Sequence, residues 1–183
     1  MAVRVPYVDR EELDADGQEI YDRIRRDRNV PKVSFQFRAL LHSPKATGYL
    51  TSMGAQLRFQ SAIPENLKEL AILVVSREWD SDIEWTAHAV LAAKAGVSTD
   101  SIEAIRTKKA PSGLTNTEQV ITRFLHQLLR DKTLSDENFD AARKLLGTKG
   151  VVDLVLTCSY YTAITVAQLA LNPEMEPGKV STL

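Results

Sequence analysis

The chain has 183 residues, 44% of them apolar and 26% charged, with a formal net charge of -1. This is the composition of an ordinary globular domain with room for a core, and it offers no electrostatic basis for binding nucleic acid or an anionic membrane. The opening "MAVRVPYVDREELDADG" lacks the apolar stretch of a secretory signal, no apolar run is read as a membrane span, and the single cysteine, Cys158, excludes a disulfide framework or a CxxC redox or zinc site.

A cytoplasmic protein is expected, and its elements read as helices throughout. Residues 9–28 form a charged first helix with Leu13, Ile20 and Ile24 as a thin apolar stripe, weakened by Gly17. Pro31 closes it, and "VSFQFRALLHSP" leads to Pro44, a proline suited to a first helical turn. The helix over 44–59 turns Leu50, Met53, Gly54 and Leu57 inward, with Gly54 read as the point of a close helix crossing. Pro64 begins the next helix, which has a strong apolar face and Glu65 in its first turn.

Residues 81–96, "SDIEWTAHAVLAAKAG", then form a helix apolar on nearly every side and stopped by Gly96. "STDSIEAIRTKK" is a short amphipathic helix capped by Ser98 or Thr99. "TNTEQVITRFLHQLLR" opens with a capping box of Thr115 and Glu118. A helix from Ser135 ends at Gly147, and residues 149–171 make the last and most apolar one, its length outweighing its β-branched content. The tail "NPEMEPGKVSTL" is too polar for a core and is expected to wrap over a neighbour or stay mobile. The fold class is all-α, a single domain over 1–183.

Chemistry concentrates at Glu84 and His88. Four residues apart on a helix, they share one face at about 6 Å. Burying a carboxylate beside an imidazole shifts both acidities, and such perturbed pairs cluster at functional sites. The spacing E-x-x-x-H lacks further ligands and is not HExxH, so no metal is expected. Ser81 reads as a helix cap, Cys158 as a small core residue, and His42 and His126 as structural. Tyr160 and Tyr161 suit a core position with a polar handle. Arg58 and Arg77 are candidate carboxylate clamps.

The segments "RALLHSP", "GAQLRFQSAIPENLKELAILVVSREW" and "EWTAHAVLAAKAGVS" together resemble the carboxymuconolactone decarboxylase family, whose superfamily includes alkyl hydroperoxidase D. The resemblance runs from about Arg38 to Ile105, and "YYTAITVAQLALNPEMEPG" is similar to the family's last helix and tail. Residues 1–35 are an N-terminal extension and 172–183 a C-terminal tail. In the redox branch a glutamate, a Cys-x-x-Cys pair and a histidine fall on Glu69, on Ser81 and Glu84, and on His88. Neither Ser81 nor Glu84 can form a thiolate, which argues against a thiol peroxidase.

The decarboxylase branch resembles the chain at Glu84, Trp85 and His88. It implies cofactor-free loss of CO2 from an unsaturated lactone, with the ring as electron acceptor. His88 would move the proton, Glu84 or Glu69 would set its tautomer, and Trp85, Arg58 and Arg77 would contact substrate. The resemblance also implies a helical bundle of the alkyl hydroperoxidase D-like type, packed between subunits as a homotrimer or homohexamer. The expectation is a cofactor-independent lyase or isomerase acting on a small lactone or oxygenated ring. The alternative is a non-catalytic helical oligomer that binds a small metabolite.

Overall fold

The computed structural model describes residues 2–109 and 112–183, and these contain helices and no strand. The chain divides into two compact units, one comprising residues up to 60 together with 166–179, the other 61–165 with 180–183.

In the first unit, helix α1 spans Ala15–Arg28, preceded by a single 3-10 turn at Arg10–Glu12. The start moves from residue 9 because Asp14 is the cap: its carboxylate accepts from the Gly17 N–H at 2.8 Å. Gly17 therefore lies in the first turn, where a Cβ would sit 3.0 Å from the Leu13 Cβ. Helix α2 covers Phe35–Leu40, and α3 covers Pro44–Phe59 with Pro44 in its first turn as expected. The tight approach of α1 and α3 occurs at Gly48, where a Cβ would meet Arg23 Nη2 at 2.8 Å and Ile20 Cγ2 at 3.3 Å. Gly54 is buried as well.

The terminal segments of this unit hold each other. Tyr7 stacks on Phe35 at 4.5 Å, and the buried Arg38 lies over both rings while pairing with Asp9 at 2.6 Å. The Glu174 N–H donates to the Tyr7 hydroxyl at 2.8 Å, and Glu176 accepts from the Phe35 N–H at 2.7 Å. The tail is thus fastened to its own chain at Glu174 and Glu176, which replaces the free end that its polarity also allowed.

The second unit is built around α4 (Glu65–Glu78), which packs against α5 (Asp82–Lys94), α6 (Thr99–Arg106) and α7 (Asn116–His126). Being surrounded, α4 is buried continuously from Leu67 to Ser76. Its entry is held by Asp153, whose carboxylate accepts from the Ala62 N–H and from Lys149, each at 2.7 Å. Local capping starts the others. Ser98 accepts from the Ser101 N–H at 3.0 Å, and Thr115 and Glu118 form the expected box, with the Thr115 N–H donating to Glu118 at 2.7 Å. A π turn at Gln127–Asp131 extends α7.

Helix α8, Asp136–Leu171, is continuous except at Gly147, whose backbone (φ 71, ψ 173) interrupts it where two separate helices were expected. By length and mean hydropathy, 1.5 over its best window, α8 is apolar enough to cross a membrane, which corrects the sequence-based statement that no run is. Its inward positions Leu154, Cys158, Tyr161 and Ile164 are nevertheless taken up by packing within the chain.

Candidate functional site

The site is built where α4, α5 and α8 bring polar groups into an apolar interior. Ser81 caps α5, its hydroxyl accepting from the Glu84 N–H at 3.3 Å. That cap starts the helix so that Glu84 and His88 fall one turn apart on its inward side, 4% and 3% exposed. From α4, Glu69 reaches the same place at 2% exposure. Its Oε2 lies 2.6 Å from His88 Nδ1, and because a carboxylate only accepts, Nδ1 carries the proton. On the other side of the ring, Nε2 lies 3.5 Å from Glu84 Oε2, an ion-pair distance longer than a good hydrogen bond.

Two carboxylates therefore flank one imidazole away from water. Burial pulls the His88 imidazolium toward neutrality, but hydrogen bonding and charge from Glu69 and Glu84 outweigh it and hold its pKa above the ordinary histidine value. The shorter bond fixes Nδ1, which leaves Nε2 as the nitrogen available for proton transfer.

The structure brings together Glu69, Glu84 and His88 and adds Tyr161. The Tyr161 ring, on α8, stands perpendicular to the His88 ring with centroids 5.1 Å apart. Sequence reading left Tyr161 in the core with no link to His88. The only signal was its place on a helix between Thr157 and Thr165 at intervals of four, all three buried.

Trp85 is 1% exposed, enclosed beside Glu84. Arg77 is committed to α6, donating to the Arg106 carbonyl at 2.6 Å and pairing with Asp80. Arg58, in the first unit, lies over the Phe59 ring at 5.3 Å. His42 contacts the Pro6 carbonyl at 2.9 Å and His126 faces Glu78 at 3.5 Å. Cys158 is buried, and burial pushes its thiol up to about 11. Among the described residues no group of three or more His, Cys, Asp or Glu side chains is placed to hold a metal ion. One cavity of about 280 Å³ lies at the Gly147 break, lined by Phe139, Arg143 and Val152 among others.

Residues 44–127 match the carboxymuconolactone decarboxylase family, within which Glu69, Glu84 and His88 all lie. No curated protein matches the chain. Among solved structures, the apo debrominase Bmp8 is similar with a TM-score of 0.74 at 11% identity, covering 97% of this chain and 94% of its own. A variant of that debrominase in complex with 2,3,4-tribromopyrrole is similar at 0.73 and 12% identity, with the same coverage of 97% and 94%. Likeness at this identity is likeness of fold, and the expected all-α architecture stands.

Proposed function

We propose that this chain, whose residues 44–127 match the carboxymuconolactone decarboxylase family, is a cofactor-independent proton-transfer enzyme, a lyase or isomerase of a small lactone or oxygenated ring compound. The observation that carries the reading is the buried His88 between Glu69 at 2.6 Å and Glu84 at 3.5 Å. A histidine clamped at Nδ1, its charged form favoured by two carboxylates, is a proton donor through Nε2.

In a decarboxylation, the bond between the carboxylate carbon and the ring breaks, CO2 leaves, and the electron pair stays in the conjugated lactone as a dienolate. His88 Nε2 delivers its proton to the ring carbon, Glu84 stabilises the charged imidazole before transfer, and a proton from water restores it once product has left. Glu69 keeps Nδ1 protonated and the ring oriented throughout. In an isomerisation Nε2 delivers its proton to one carbon, and the neutral nitrogen so formed takes a proton from another, which restores the starting charge. With His88 only 3% exposed, substrate reaches Nε2 when the packing over it opens.

Turnover of a panel of unsaturated lactones, followed by CO2 release and ultraviolet absorbance, tests the reading. His88→Gln is expected to lose about 10²–10⁴-fold in rate; full activity in that variant overturns the assignment. The closed site favours one second reading, a helical protein that binds a small metabolite without turning it over. Saturable binding with no product from any of the panel would support it. In either reading the chain assembles as a homotrimer or homohexamer, for which the exposed Val152, Val155 and Leu156 of α8 supply apolar surface; a monomer in sedimentation would overturn that assembly.

A further inference from the structure

Glu69 and Glu84 account for the two nitrogens of His88 but leave the faces of its ring unexplained. A ring held only by its nitrogens can still rock about the Cβ–Cγ bond, and the 3.5 Å separation from Glu84 is long enough to permit this. The group that meets the imidazole from the third packed element is Tyr161. It is 2% exposed, and its ring stands at 88° to that of His88 with centroids 5.1 Å apart. Its own ring is braced in turn by Tyr160, perpendicular at 5.0 Å. Thr165 Oγ1 donates to the Tyr161 carbonyl at 2.9 Å, satisfying the Thr165 hydroxyl inside α8. A rigid aromatic braced in this way has little freedom to yield.

We propose that Tyr161 is a positioning residue: its ring, set perpendicular to His88, holds the imidazole in the one plane where Nδ1 meets Glu69 and Nε2 faces Glu84, and excludes water from both N–H groups. The inference rests on the proton-transfer reading for its purpose, while its geometry stands apart from any substrate. It also makes the ring, not the phenol hydroxyl, the working part of the residue.

Nitrogen-15 NMR of histidine-labelled protein tests this without substrate. The chain has three histidines, and the His88 ring signals are identified by their loss in His88→Gln. The readout is the water-exchange rate of the His88 ring N–H protons, divided by that of backbone amides in α4, so that a general loss of stability cancels. Tyr161→Phe keeps the ring and should leave the ratio unchanged. Tyr161→Leu should raise it, by up to about tenfold, the worth of a perpendicular aromatic pair. Should the leucine variant fail to fold, Tyr161→Met, an unbranched side chain that can refill the space, is expected to raise the ratio in the same way.

An unchanged ratio in a folded Leu or Met variant overturns the proposal, as does an equal rise in Tyr161→Phe. Either result leaves the enzyme reading standing. Full turnover by His88→Gln would remove that reading without altering the exchange result. Leu154→Ala, two helical turns away on the same helix and buried, is expected to lower stability and leave the ratio alone.

Discussion

Replacing Glu69 by glutamine separates the effect of the carboxylate on His88 from the effect of burial. Glutamine keeps the size and an acceptor oxygen but removes the charge 2.6 Å from Nδ1. A hydrogen bond to a charged group contributes about 1.5–3 kcal/mol. Breaking a buried pair outright costs about 3–5 kcal/mol, and the conservative change belongs to the lower range. The pH dependence is more discriminating than the size. In the wild type the His88 pKa is raised above its unfolded value of about 6.5. The stabilisation is fully present below about pH 6.5 and is lost as pH rises through the folded value, at most about 1.4 kcal/mol per pH unit. In Glu69→Gln the downward pull of burial is opposed by Glu84 alone at 3.5 Å, so the pKa falls and that decline flattens or reverses. Urea unfolding of both proteins from pH 6 to 9 should show a difference near 2 kcal/mol at the acid end that shrinks toward the alkaline end. His126, whose pKa burial and Arg130 lower, contributes equally to both proteins and cancels. A destabilisation constant across this range would refute the claim that Glu69 raises the His88 pKa.

Gly147→Ala should destabilise the chain by about 1–3 kcal/mol, because φ 71 with ψ 173 is a region that essentially glycine alone occupies; the space around an added Cβ is open, so the cost is backbone strain and not a clash. Equilibrium unfolding measures it, and a neutral effect would mean that the break between the two halves of α8 does not need that conformation. Cys158, with its thiol pushed up to about 11 and buried, should resist alkylation in the folded protein at pH 8 and react at an ordinary rate once unfolded. Rapid modification of the native chain would reopen the thiol chemistry that Ser81 and Glu84 exclude on sequence grounds.

The starts of the helices were readable directly, because capping is a contact between a side chain and a backbone N–H two or three residues away. Thr115 with Glu118, Ser98, Ser81 and Pro44 all act within one turn of where they stand in the sequence. For the same reason Glu84 and His88 could be paired from their spacing alone. Asp14 caps α1 five residues beyond the start expected at residue 9, so Gly17 lies in the first turn and does not weaken the helix interior. The break at Gly147 was also local and was placed correctly.

What only the tertiary structure decided is which distant groups close around that pair. Glu69 is nineteen residues from His88, and the resemblance suggested it without saying which nitrogen it bonds; the packing of α4 on α5 makes it the short partner and Glu84 the long one. Tyr161 meets His88 because α8 packs its inward face there, and the close approach of α1 to α3 at Gly48 is likewise a matter of how the helices meet. Periodicity tells which side of a helix is buried. It carries no information about what lies opposite, since that depends on how separate helices cross, and the crossing is set by the summed packing of many side chains.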